Sequence, residues 1–133
     1  MDFTRILQTL GSIFPTTPLS QKISVPFTVM ILSPHPDDES IIGSLALRLL
    51  HENNAHIINV AVTLGSDKAR QKMRYQELTE ACEVLQMELV GLDENWKTKE
   101  KELKSLIQKY SPQLILAPHL KDHHPTHIKT GEL

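Results

Sequence analysis

The sequence predicts an α/β fold, a Rossmann-like parallel sheet with helices on both faces. Four short apolar runs rich in strand formers alternate with three longer segments of helical spacing between residues 27 and 117. Those runs are apolar nearly throughout, as strands covered from both sides are. At 133 residues, against about 150 per domain, the chain suits one unit with its own core. Its 40% hydrophobic and 23% charged residues are ordinary for a globular protein.

The elements follow in order. Phe3, Ile6, Leu7, Leu10, Ile13 and Phe14 form an apolar stripe at helical spacing, with Asp2 placed to cap it and Pro15 to stop it. Residues 1–24 are therefore expected to be an N-terminal helix and linker, and residues 25–133 the main domain. Phe27–Leu32 is a buried first strand. Pro34 and Pro36 keep Ser33 to Asp38 out of helix. Asp37 or Asp38 then caps a helix from Glu39 to Asn53 whose Ile42, Leu45, Leu49 stripe faces a core. His56–Thr63 is the second strand, closed by the turn Gly65-Ser66-Asp67. Ala69–Leu85 is a helix through Leu78, Ala81, Cys82 and Leu85. Glu88–Leu92 is a third strand. Lys97–Tyr110 is a helix buried through Leu103, Leu106, Ile107 and Tyr110. Leu114–Ala117 is the fourth strand, ended by Pro118. Such alternation builds right-handed βαβ units.

Composition excludes several functions. A formal net charge of −2 argues against nucleic acid as a partner. No apolar run approaches the roughly 18 residues of a membrane span, and the acidic Asp2 and interrupting polar residues do not make a signal peptide. The single cysteine, Cys82, has no internal partner and fits a reducing compartment, so a cytoplasmic location is expected.

Chemistry gathers in two segments. Ser33-Pro34-His35-Pro36-Asp37-Asp38-Glu39-Ser40 follows the first strand, where open α/β sheets place their sites. His35 and Asp38 can share one metal while Asp37 points elsewhere. Imidazole with carboxylate suits zinc, and another first-row divalent ion is possible. Asp122-His123-His124-Pro125-Thr126-His127 follows the last strand as a second loop, and four of the seven histidines lie between residues 119 and 127. Of His124 and His127, one can bind metal while the other faces the reacting group. In a doubly wound sheet the first and fourth strands are neighbours at the switch point, so both loops emerge side by side. Two imidazoles and one carboxylate leave a coordination position for water, as catalytic zinc sites do.

These two motifs, with Arg74, Glu77, Ala81 and Leu85 on the helix between them, resemble the PIG-L/LmbE family of zinc-dependent N-deacetylases from about Val25 onward. The resemblance implies an LmbE-like fold and removal of an acetyl group from a small N-acetylglucosamine-type substrate by metal-activated water. It implies one Zn2+ per chain held by His35, Asp38 and His127, with Asp37 as general base. It makes His124 the group that stabilises the oxyanion or protonates the leaving amine. Arg74 and Asp93 align with residues that reach the substrate. His51, His56 and Trp96 receive no role, and His119 and His123 are rim residues. Thr126, Pro34 and Gln86 depart from the family pattern, where aspartate, a small residue and glycine are usual. None of the three removes a metal ligand or the base.

Family members also continue well past the second motif. The chain is therefore expected to be the N-terminal portion of such a domain, incomplete at the C-terminus. Self-association or a complementing C-terminal segment would then cover the fourth strand. Two rival functions follow. One is a catalytically inactive metal-binding or assembly piece. The other is a different metallohydrolase such as a phosphoesterase, for which a second metal and a bridging carboxylate are required.

Overall fold

Four apolar runs pair as parallel strands: β1 (Thr28–Ser33), β2 (His56–Ala61), β3 (Glu88–Gly91) and β4 (Leu114–Leu116). This computed structural model describes residues 27–41 and 43–133. The expected N-terminal helix and linker, residues 1–24, and Ile42 of the first core stripe lie outside the described residues. The strand order is β3-β2-β1-β4. From β1 the chain steps outward through β2 to β3, then returns to the free side of β1. Thr28 to Ser33 of β1 stand beside His56 to Ala61 of β2, and Val29 to Ile31 beside Leu114 to Leu116 of β4. The expected switch point therefore lies between β1 and β4.

The connections are helical: α1 (Asp38–Ile41), α2 (Gly43–Asn53), α3 (Gln71–Val84) and α4 (Trp96–Tyr110). Alternation of side chains along β1 and β2 makes two cores. On one face Val29, Ile31 and Ile57 pack with Ala46 and Leu49 of α2 and Leu78 and Cys82 of α3. On the other, Met30, Leu32, Ile58, Val60 and Val62 pack with Leu103 of α4, flanked by Leu106, Ile107 and Tyr110. Each fully buried Val, Leu, Ile or Met among them stabilises the fold by about 1.5–3 kcal/mol before entropy is counted. Gln86, just past α3, takes a left-handed φ of 55°. Glycine adopts that conformation at no steric cost, and a helix end commonly requires it.

The last segment corrects an expectation. The sequence places residues 122–127 in a second loop, but Pro125–Gly131 forms a short helix, α5, with the His124 side chain as its N-cap. Proline at the first helical position and an accepting side chain before it satisfy the start of a helix. Histidine is an unusual cap, so this start signal is hidden. The helix lies close against the end of β4: a Cβ on Gly131 would come within 2.7 Å of the Pro118 carbonyl oxygen. Buried Thr130 donates its hydroxyl to the Thr126 carbonyl, and Leu133 packs on the second core.

Candidate functional site

The loop after β1 is held from below. Val62 N donates to Ser33 O, and Thr63 donates to Pro34 O through both its amide and its hydroxyl. Buried Ser33 donates to Asn59 Oδ1 at 2.6 Å. Above this base the chain turns sharply. Asp37 has φ of 114°, a conformation that costs a non-glycine residue and marks functional sites. Glu39 makes it tenable: its buried carboxylate accepts from Asp37 N at 2.9 Å. Ser40 donates to Asp37 O from its amide and its hydroxyl. Asp38 is folded inward instead, with Oδ2 accepting from His35 N at 2.8 Å. Adjacent aspartates thus diverge, Asp38 buried and Asp37 exposed to the cavity.

The N-terminus of α5 delivers the remaining groups. Asp122 accepts from His124 N through Oδ1 at 2.8 Å, while its Oδ2 lies 3.2 Å from His127 Nδ1. These two bonds hold the Asp122 carboxyl below the usual carboxylate range. His127 Nε2 is thereby turned toward Asp38 Oδ2, at 3.4 Å. His35 Nδ1 approaches the same oxygen at 3.5 Å. The imidazoles of His35, His124 and His127 each offer a nitrogen within 4.8 Å of the others. Ring centroids are 4.8 Å apart for His35 and His124 and 5.0 Å for His124 and His127.

This donor set fits a divalent metal. Ligand atoms on a tetrahedral zinc lie about 3.3–3.5 Å apart when bonds are about 2.0–2.1 Å. The separations of Asp38 Oδ2 from His35 Nδ1 and His127 Nε2 match that spacing. Burial pushes the His35 imidazole below its ordinary value of 6.5, with His124 and His127 adding to the effect and Asp38 and Asp37 opposing it. Below that value His35 is neutral at pH 7, the form a metal requires.

His124 is poised differently. Its Nδ1 accepts from Thr126 N at 3.3 Å, so the neutral ring carries its proton on Nε2 and presents a donor. Asp122 has no counterpart among the roles expected from the sequence, although it stands five residues before His127 in the same motif. An outer carboxylate that orients a ligating histidine is worth about 10- to 100-fold in metal affinity. If His127 ligates a metal, Asp122→Ala should weaken the binding of added zinc by that amount in a chelator competition. Unchanged affinity would show that His127 needs no such support.

His35, Asp37, Asp38, His124 and His127 line an open cavity of about 620 Å³ that also includes Arg74, Glu94, Trp96 and Thr126. Arg74 of α3 lines the cavity. Its Nη1 donates to Leu64 O at 3.2 Å, across Gly65 at φ of 87°. A Cβ on Gly65 would stand 2.1 Å from that nitrogen, so a side chain there would displace the guanidinium from this position. Asp93 is not among the residues that line this cavity. Its Oδ1 accepts from Asn95 N at 2.7 Å in the turn before α4, and neighbouring Glu94 and Trp96 form the wall instead. His56 pairs with Glu88 at 2.9 Å at the opposite end of the sheet. His51, His119 and His123 are exposed.

Residues 30–133 match the family model described as PIG-L, GlcNAc-PI de-N-acetylase. No curated protein matches the sequence. Solved structures do match. The N,N'-diacetylchitobiose deacetylase of Pyrococcus horikoshii superposes with a TM-score of 0.69 at 19% identity, over 99% of this chain and 57% of that one. The 4-carboxy-2-hydroxymuconate hydratase GalB of Pseudomonas putida KT2440 gives 0.68 at 19%, over 80% and 53%. A deacetylase of teicoplanin biosynthesis gives 0.66 at 14%, over 78% and 62%. At these identities the likeness establishes the α/β fold alone, and the set includes a hydratase as well as deacetylases. The chain spans little more than half the length of these structures.

Proposed function

The chain belongs to the PIG-L family, and from that premise we propose that it is a zinc-dependent N-deacetylase acting on an N-acetylglucosamine-type small molecule. The observation that carries this reading is the divergence of the paired aspartates. Asp38 turns into a cluster with His35 and His127, while Asp37 stays outside it on a strained backbone facing the cavity. His35, Asp38 and His127 would hold one Zn2+ per chain, or another first-row divalent ion. When bound, such an ion acidifies water and polarises an acyl carbonyl.

The chain's own groups do the rest. Asp37 accepts the proton of the attacking water as its oxygen bonds to the acetyl carbon. The Nε2–H of His124 donates to the carbonyl oxygen as negative charge develops there. When the C–N bond breaks, the proton held by Asp37 passes to the nitrogen, the remaining hydroxyl proton follows it, and acetate and the protonated amine leave. Arg74 reaches the cavity from α3, and its remaining guanidinium donors serve the substrate.

Among the described residues, His35, His124 and His127 gather as metal-ligating side chains, and Asp38 Oδ2 joins the same cluster at 3.5 Å from His35 Nδ1 and 3.4 Å from His127 Nε2. A single centre favours amide hydrolysis over a phosphoesterase, which uses two metals about 3.5–4 Å apart. The test is elemental analysis combined with acetate release on a panel of N-acetylglucosaminides. One zinc per chain with acetate release is expected. Two ions point to the phosphoesterase, and one ion without acetate release points to an inactive metal-binding piece.

No helix among the described residues is long and apolar enough to cross a membrane. We assign the protein to the cytoplasm, supported by the buried, unpaired Cys82. β4 lies at an edge of the described sheet with Ile115 and Leu120 exposed beside it. Edges of this kind recruit a further strand, so we place self-association or a complementing segment there. Light scattering is expected to find a dimer or larger species, and a monodisperse monomer contradicts self-association.

A further inference from the structure

Lys99 is the one buried lysine among the described residues, fully enclosed at 0% exposure, and the chemistry above does not use it. Lysine is almost never fully buried unless paired. Here the ammonium donates to two backbone carbonyls, that of Val62 just past the end of β2 and that of Asp93 between β3 and α4. It also lies 5.2 Å from the centre of the Trp96 ring. Two further bonds hold the same loop. Glu94 Oε1 accepts from Leu64 N at 2.8 Å, and Glu102 Oε2 accepts from Asp93 N at 2.9 Å. Burial pulls the Lys99 ammonium below its ordinary range, while the Glu94, Glu102 and Asp93 carboxylates oppose that pull.

Glu94 and Trp96, which lie between Asp93 and Lys99 in the chain, line the cavity. An apolar residue at position 99 would fill the space without desolvating a charge, and such replacements are often neutral or stabilising. What it would not do is bridge the Val62 and Asp93 carbonyls. We propose that Lys99 is a positioning residue that fixes the Glu94–Trp96 wall of the cavity and thereby sets substrate affinity, leaving metal binding and the chemical step to the histidine and aspartate cluster. The kinetic part of this inference rests on the deacetylase reading, whereas the structural part does not.

The test is Lys99→Met in the full chain, which keeps the length of the side chain and removes its donors. In hydrogen exchange, amides of residues 92–96 are expected to exchange about 10-fold faster, with those of residues 33–38 and 122–127 unchanged. Zinc affinity should stay within about twofold of the parent, and KM for an N-acetylglucosaminide should rise about 10-fold with kcat within about threefold. Uniformly faster exchange, unchanged exchange at residues 92–96, or a loss confined to kcat would overturn the proposal. If the parent chain releases no acetate, the deacetylase reading fails and the exchange pattern alone decides the role of Lys99. If Lys99→Met does not fold, Glu102→Ala removes from a half-buried position a second tie on Asp93, the one to its amide. The same local exchange pattern is then required of it.

Discussion

Asp37→Asn is expected to leave metal content unchanged and to lower turnover by about 10²- to 10⁴-fold, the usual contribution of a general base. Asparagine is close to an isostere of aspartate and tolerates positive φ better than most residues, so the backbone at 114° is preserved. The amide bond to Glu39 and the two bonds from Ser40 involve only the Asp37 main chain and survive the change. What is lost is the carboxylate's capacity to take a proton. Metal content by elemental analysis and kcat for acetate release measure the two halves separately. Loss of metal in this variant would mean that Asp37 is itself a ligand.

Asp38→Asn is expected to do the reverse and fail at the metal. The carboxamide oxygen can still accept from His35 N, so the loop keeps its turn. A neutral amide, however, replaces the anionic oxygen that stands 3.5 Å from His35 Nδ1 and 3.4 Å from His127 Nε2. Zinc affinity should fall by more than the roughly 10- to 100-fold typical of residues that only orient a ligand. Competition with a chelator of known affinity measures it. Parent-like affinity would move Asp38 out of the ligand set and favour three imidazoles, His35, His124 and His127.

Much of the fold is legible in the sequence because its strands are short apolar runs bounded by proline, glycine and polar turns. Leu114 to Leu116, closed by Pro118, can be read that way, and the return of the chain to β1 follows from the doubly wound pattern. Adjacency of β1 and β4 then brings two distant motifs together before any distance is known. The rest depends on side-chain direction, which spacing does not encode. Asp93 and Glu94 are consecutive carboxylates in one turn. Asp93 caps Asn95 while Glu94 accepts from Leu64 N, and ties from Lys99 and Glu102 keep them so. Trp96 gives no signal beyond a helix start, yet it forms cavity wall. Asp122 and Glu39 stand within the two motifs, but their work is to orient His127 and to hold Asp37. Both are visible only once the loops have folded.

Anomalous diffraction at the zinc edge from crystals of the zinc-loaded chain tests the central claim most directly. One ion is expected, within about 2.0–2.2 Å of His35 Nδ1, Asp38 Oδ2 and His127 Nε2, with the Asp37 carboxylate beside it and not bonded to it. Two ions, an ion bound by all three imidazoles without Asp38, or an ion ligated by Asp37 would contradict it.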